Sequence, residues 1–241
     1  MNIIITMAGA GSRFTRIGIN KYKHEITANG KSLFEWSLLS LIDFFDAKFI
    51  FAVREECYNK QFIEKICNKI GIRLFEFIII NKLTKGQAET ALYCDPSINT
   101  YEPIIIYNID TYVEPEFIKK NNISNKYDGY IPVFKAEDSR LSFLQFDQKG
   151  NVIGIQEKEK ISEYGTIGLY YFKTWELFKN VYKATYAFDY IEEQYIAPLY
   201  NQLLKCNMHI GYDIINEKCV HVLGTPEDIV KFDKNYLNYN L

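Results

Sequence analysis

The chain has 241 residues, 48% apolar and 24% charged, an ordinary composition for a globular protein with one large α/β domain or two small ones. With 28 basic against 30 acidic residues its net charge is −2, which leaves no basic field to hold nucleic acid or an anionic membrane nonspecifically. The cysteines (Cys57, Cys67, Cys94, Cys206 and Cys219) are odd in number and never in a CxxC pair, which argues against a disulfide framework and a zinc site.

The opening residues 1–6 lack the basic flank of a secretory signal, and no run approaches the roughly 18 apolar residues of a membrane span. A cytoplasmic location is therefore expected. The apolar runs 3–6, 49–53, 74–80 and 104–109 predict buried strands of a parallel sheet. Helical stretches alternate with them. Residues 32–45 open with Ser32 and Glu35 in capping-box spacing, and 55–70 carry Phe62, Ile66 and Ile70 on one face.

Further on, 130–134, 143–146, 152–156 and 166–172 read as strands, with Lys149-Gly150-Asn151 as a turn. Helices are expected at 174–183 and 190–205, followed by a strand at 219–223. Thr225-Pro226-Glu227-Asp228 then offers an N-cap, a first-turn proline and an N3 acid for a last helix. No repeat or linker divides the chain. The expected architecture is α/β, one doubly wound domain over 1–241 with a mostly parallel, mixed central sheet flanked by helices.

The strongest local signal is a strand running straight into Met7-Ala8-Gly9-Ala10-Gly11-Ser12-Arg13-Phe14. Two glycines let backbone amides approach a phosphate chain, and Arg13 adds a planar cation beside them. The Gly-Lys-Ser/Thr ending of a P-loop is missing. Phe14 stands where a dinucleotide fingerprint needs its third glycine. A tight turn alone would also explain this loop. Two further features stand out: the apolar strand of 104–109 ends abruptly in Asp110, a hard oxygen ligand suited to Mg²⁺ beside phosphates, and Gly86-Gln87-Ala88 opens a helix after a strand.

Together these segments resemble the sugar-phosphate nucleotidyltransferase family, which has a GT-A-like fold and opens with a strand, (A/G)GxG(S/T)R, a variable loop and a Pro-Lys pair. Counting back from Asn29-Gly30-Lys31 aligns that pair with Tyr22-Lys23, with Lys21 as the competitor and the proline lost. The resemblance implies that Ala8, Gly9, Ala10, Gly11, Ser12 and Arg13 hold the triphosphate. It makes Arg13, Lys23 and Asp110 the catalytic groups and Asp110 the Mg²⁺ ligand, with Asn108 assisting. Gly86, Gln87 and Ala88 would lie against the nucleobase; an amide that donates and accepts suits a pyrimidine edge.

On the acceptor side, Gln156-Glu157-Lys158 and Thr166-Ile167-Gly168-Leu169-Tyr170 resemble the family's Glu-Lys and (N/A)xGxY pair. Glu157, Lys158, Gly168 and Glu192 are the expected acceptor-binding residues, Glu192 and Glu193 being the weaker candidates, for the acceptor's hydroxyls. Residues 157–160 also fit a solvated charge run. Many relatives carry a second metal aspartate where this chain has Val222, and Asp228 reads as part of the last helix's cap. Residues of about 1–125 would form a nucleotide-binding half and about 126–241 an acceptor-binding half.

The implied reaction joins a phosphorylated sugar, polyol or amino compound to CTP, UTP or dTTP, with CTP slightly favoured, and releases pyrophosphate. Compact cytidylyltransferases of capsule and surface-polysaccharide biosynthesis are the likeness. Two alternatives stand beside it: a GT-A glycosyltransferase with Asn108-Ile109-Asp110 as a degenerate DxD, and a non-catalytic nucleotide-binding regulator. Neither a nucleic acid nor a membrane is an expected partner, and the oligomeric state stays open.

Overall fold

A computed structural model describes residues 1–9, 12–16, 18–19, 21–123, 126–187 and 193–236, the side chain of Ser12 excepted. A seven-stranded sheet runs, in spatial order, Ile210–Gly211, Gly129–Tyr130, Leu169–Phe172, Ile104–Tyr107, Asn2–Met7, Lys48–Arg54 and Phe75–Ile80. Asn2–Met7 pairs in parallel with Ile104–Tyr107 on one side and Lys48–Arg54 on the other. Leu169–Phe172 enters antiparallel, which makes the sheet mixed.

The central strands are near-continuous Ile, Phe and Val because both of their faces are covered. Ile3, Ile5, Phe49 and Phe51 pack with Phe34 and Leu38 of the helix Leu33–Leu39 and with Ile63 and Ile66 of Lys60–Ile70. Ile4, Ile50, Ile104 and Ile106 face the other way. There they meet Ala88 and Ala91 of Gln87–Leu92, Phe178 and Val181 of Trp175–Thr185, and Leu203 of Leu199–Lys205. Helices on both faces make the sheet doubly wound, as expected. Burying one such Phe or Ile contributes roughly 1.5–3 kcal/mol.

A second sheet of five strands, ordered Val152–Glu157, Ser142–Phe146, Tyr164–Thr166, Val133–Lys135 and Ile214–Ile215, grows from the first. Two expected strands turn out to be split between the sheets. The run at 130–134 breaks at Pro132, which has no N–H for a ladder, so Gly129–Tyr130 stays in the large sheet and Val133–Lys135 joins the small one. The run at 166–172 breaks at Gly168, whose φ of 79° lies in the left-handed region. Because Leu169 pairs with Tyr107, this bend places the second sheet beyond the carboxyl end of the central strands. Ligands of open α/β sheets bind at that end.

Other boundaries shift for local reasons. The expected helix at 32–45 is Leu33–Leu39 followed by a 3₁₀ turn, Ile42–Phe44. Ser32 caps it by accepting from the Glu35 amide at 3.1 Å, while the Glu35 carboxylate accepts from Lys69 at 2.7 Å. The expected helix at 55–70 starts only at Lys60, capped by Asn59, and ends on the left-handed Gly71. Phe75–Ile80 ends the sheet with Ile79 49% exposed, rather than lying buried within it. The helix expected at 190–205 is Leu199–Lys205, part of the remainder lying outside the described residues. Val220–Val222 pairs with Thr111–Val113 in a separate ribbon, outside both large sheets.

Candidate active site

A cleft of about 710 Å³ opens at the carboxyl end of the central strands, between the two sheets. Ala8, Gly9, Arg13, Lys23, Gly86, Gln87, Asn108, Asp110, Glu157, Lys158 and Gly168 all line it. These positions were each singled out from sequence, and the fold gathers them around one space. Ala88 does not line the cleft. It is fully buried among core residues, with its amide donating to the Gln194 carbonyl at 2.9 Å. Ala10, Gly11, the Ser12 side chain and Glu192 lie outside the described residues.

Asn2–Met7 delivers the chain to Ala8 and Gly9, and the short helix Ser12–Thr15 carries Arg13. A Cβ at Gly9 would meet nothing within 4 Å among the described residues, so none of them demands glycine there. Phe14, at the position that spoils the dinucleotide fingerprint, is buried with Ile19, Ile26, Leu33, Leu223 and Ile229 and anchors the loop to the last helix. The sequence reading gave Phe14 no such role.

Lys23 begins a 3₁₀ turn, Lys23–Glu25. His24 pins that turn: it is 2% exposed, stacked on Tyr22 and tilted against Phe62. Burial lowers the His24 pKa to about 4, against a small opposing pull from Glu25, so the ring is neutral at pH 7. Lys23 Nζ reaches Asp110 Oδ2 at 2.5 Å. Lys21 also lines the cleft but stays exposed, whereas Lys23 is the one paired with Asp110.

Asp110 follows the strand Ile104–Tyr107 through a turn fixed on both sides. Ser37 Oγ donates to the Asn108 carbonyl at 2.6 Å, and the Leu223 amide donates to the Asp110 carbonyl at 2.7 Å. Gly168 sits beside it in the left-handed region, φ 79°, and a Cβ there would lie 2.1 Å from Asn108 Nδ2 and displace that side chain. Asn108 Oδ1 is left buried without a hydrogen-bond partner among the described residues. No group of three or more His, Cys, Asp or Glu among the described residues could hold a metal ion by itself. One carboxylate with an orphaned amide oxygen nonetheless fits Mg²⁺, which takes one or two carboxylates and completes its shell with waters and phosphates.

The loop before Gln87–Leu92 is clamped from within. Thr90 Oγ1 donates to the Gly86 carbonyl at 2.9 Å and shares a 2.7 Å hydrogen bond with Thr84 Oγ1. A Cβ on Gly86 would lie 2.5 Å from the Gln194 carbonyl oxygen. Gln87 Nε2 donates to Thr6 Oγ1 at 3.1 Å, and Thr6 Oγ1 donates onward to the Tyr107 carbonyl at 3.5 Å. Thr6 thus accepts from the Gln87 amide nitrogen, and the amide oxygen of Gln87 has no hydrogen-bond partner among the described residues.

Across the cleft, Glu157 closes its strand and accepts a short hydrogen bond from Ser142 Oγ. Burial raises its pKa, outweighing the lowering by Ser142 and Lys158. Lys158 adopts a left-handed φ of 55° and donates to Glu193 at 2.9 Å and to Tyr195. Burial pulls its pKa down, but the hydrogen bonds to Tyr195 and Glu193 prevail and hold it above the usual lysine value. Lys160 turns away to Glu137, so the charge run at 157–160 divides between cleft and solvent.

Thr6, Ser142, Gln194 and Tyr195 were not foreseen. Nor was Arg140, which lines the cleft between Asp138 and Asp228. Thr225 is the N-cap of the last helix as expected, its Oγ1 accepting from the Asp228 amide at 3.2 Å; the Asp228 side chain adds nothing to that cap, because its carboxylate goes to Arg140. Val222, where the resemblance led to the expectation of a second aspartate, lines the cleft.

No family model and no curated protein sequence matches the chain. Among solved structures, the nucleoside-diphosphate-sugar pyrophosphorylase from Vibrio cholerae RC9 matches with a TM-score of 0.88 and 30% identity, covering 97% of this chain and 100% of that one. The chain belongs to the nucleotidyltransferase family. The inositol-1-phosphate CTP transferase from T. maritima shares the transferase's fold at TM-score 0.76 and 17% identity, over 94% of this chain and 90% of that one. A putative glucose-1-phosphate thymidylyltransferase from Bacillus anthracis, in complex with a sucrose, does so at 0.75 and 18%, over 100% and 97%. At those identities the last two bear on the fold alone. No helix among the described residues is long and apolar enough to cross a membrane.

Proposed function

We propose that this transferase joins a phosphorylated small molecule to a pyrimidine nucleoside triphosphate, CTP ahead of UTP or dTTP, with release of pyrophosphate. The observation that carries the reading is the Lys23–Asp110 pair, set between the Gly9 and Arg13 loop on one side and the Glu157 and Lys158 wall on the other. The acceptor's phosphate oxygen attacks the α-phosphorus in line, the bond to the β-phosphate oxygen breaks, and pyrophosphate leaves. No covalent enzyme intermediate is required. Catalysis rests on positioning and charge stabilisation.

Arg13 and the loop amides hold the β- and γ-phosphates. Lys23 neutralises charge on the α-phosphate, and Asp110, with Asn108 Oδ1 beside it, would hold Mg²⁺. That ion would supply Lewis-acid charge neutralisation at the phosphates. Glu157 and Lys158 receive the acceptor.

Gln87 lines the cleft with its amide nitrogen on Thr6, and its amide oxygen would accept from the 4-amino group of cytosine, which supports the preference for CTP. A role in capsule or surface-polysaccharide biosynthesis accords with the compact cytidylyltransferase resemblance. The test is pyrophosphate release from CTP, UTP, dTTP, GTP and ATP in turn, with Mg²⁺ and a panel of sugar, polyol and amino phosphates. Release that needs one nucleotide and one acceptor together is expected. Nucleotide binding without turnover across a broad panel would favour a regulator, and absence of nucleotide binding would sink the reading.

A further inference from the structure

Arg140 stands on the loop that leads into Ser142–Phe146, at the rim of the second sheet, and lines the cleft. Its guanidinium is gripped along one edge. Nε donates to both carboxylate oxygens of Asp138, at 2.9 and 2.8 Å, and Nη2 donates to Asp138 and to both oxygens of Asp228, at 3.0 and 3.1 Å. Asp138 is itself fixed, accepting from the Arg140 backbone amide at 3.0 Å. Asp228 is nearly buried and sits in the first turn of the last helix. These bonds occupy Nε and Nη2 and leave Nη1, with two N–H donors, outside them.

The position of this clamp matters as much as its rigidity. A Cβ at Gly224 would lie 3.3 Å from Asp110 Oδ2 and 3.9 Å from Asp228 Oδ2. Asp228, and Arg140 with it, therefore neighbours the catalytic aspartate across a bare glycine. A planar cation immobilised in advance, with both N–H groups of Nη1 outside the clamp, offers a phosphate oxygen a fixed, permanently charged donor that a mobile lysine does not. Lys158, the other cation on this wall, spends its ammonium on Glu193 and Tyr195.

We propose that Arg140, positioned by Asp138 and Asp228, binds the phosphate of the acceptor and presents its oxygen to the α-phosphorus beside Asp110. This rests on the transferase reading above. On that reading Asp138 and Asp228 are positioning residues, and Arg140 is a substrate-binding one.

Titration calorimetry with two probes separates the claims: glycerol 3-phosphate as a phosphate monoester, and CTP with Mg²⁺ as the nucleotide. In R140Q, glycerol 3-phosphate binding is expected to weaken at least about tenfold while CTP binding stays within about twofold. D228N, which loosens the grip but keeps the guanidinium, should weaken the monoester about threefold. R140K keeps a cation between the two aspartates and serves if R140Q does not fold; it too should weaken the monoester at least threefold, since an ammonium held by the aspartates lacks the outlying Nη1 donors.

Unchanged monoester binding in folded R140Q or R140K would make Arg140 a strut for the last helix and overturn the proposal. So would an equal loss of CTP, or wild-type protein that binds no monoester. Failure of CTP alone to bind would count against the nucleotide reading while leaving the monoester comparison decisive for Arg140.

Discussion

Lys23 Nζ lies 2.5 Å from Asp110 Oδ2, although 87 residues separate the two in the chain. The ammonium comes from a 3₁₀ turn after the phosphate loop and the carboxylate from the end of the fourth run of apolar residues. Both side chains remain about one quarter exposed. An ion pair that wet contributes about 1 kcal/mol at most to stability. Its value lies in where it puts two opposite charges.

K23A and D110N are accordingly expected to melt within a few degrees of the wild type. Turnover should fall by ~10²-fold or more, the scale of removing one preorganised charge donor. Pyrophosphate release and a thermal melt on the same preparations check this. Near-normal turnover in either variant would remove that residue from the mechanism.

Gly86 sits where a side chain cannot. Its added Cβ would meet the carbonyl oxygen of Gln194 at 2.5 Å and that residue's backbone nitrogen at 2.9 Å, and backbone cannot step aside cheaply. G86A is expected to cost about 1–3 kcal/mol in a denaturant melt, as overpacking does, and to raise the nucleotide KM several-fold. A melt and KM both equal to wild type would mean the loop does not hold this contact in solution.

Thr6 orients Gln87 by accepting from its amide nitrogen. Replacing Thr6 with Val removes that acceptor at similar size and frees the amide to turn. The ratio of kcat/KM for CTP over UTP should then fall by roughly tenfold, the worth of one hydrogen bond. An unchanged ratio would show that Gln87 does not choose the base through its oxygen.

His24 makes stability depend on pH. Its folded pKa of about 4 lies below the unfolded value of 6.5, so between those limits the unfolded chain binds more protons. Stability is fully present above about pH 6.5 and is lost as pH falls towards 4. At about 1.4 kcal/mol per pH unit the loss reaches about 3 kcal/mol. H24F should flatten that slope in urea melts at pH 4.5, 5.5 and 7; an equally steep slope in the variant would assign it to other groups.

Much of the site was legible because local chemistry announces itself. Gly9 and Arg13 after a strand, Asp110 ending an apolar run, and Gly86-Gln87 opening a helix are each marked by residues only a few positions apart, and all of them line the cleft. What stayed hidden was held by partners distant in sequence. Arg140 and Asp228 are 88 residues apart and Thr6 and Gln87 are 81 apart, and no local pattern marks either pairing. Asp228 looked like a helix cap because its amide does serve one; only its carboxylate, which the sequence cannot aim, goes elsewhere.

The same division runs through the fold. Local sequence sets the central strands, through near-continuous β-branched and aromatic runs, and the helix starts at Ser32, Thr174 and Thr225, through side chains that satisfy amides three residues on. Those are short-range choices, fixed by sterics and hydrogen bonds within one turn or one strand. Tertiary structure alone decided that the runs at 130–134 and 166–172 each serve two sheets. Pro132 and Gly168 permit such a break, but the choice of sheet depends on which distant strand offers free carbonyls and amides. That bend also brings Glu157, Lys158 and Arg140 round to face Asp110. A carboxylate or guanidinium acquires its role from the charges folded against it, and no window of sequence contains them.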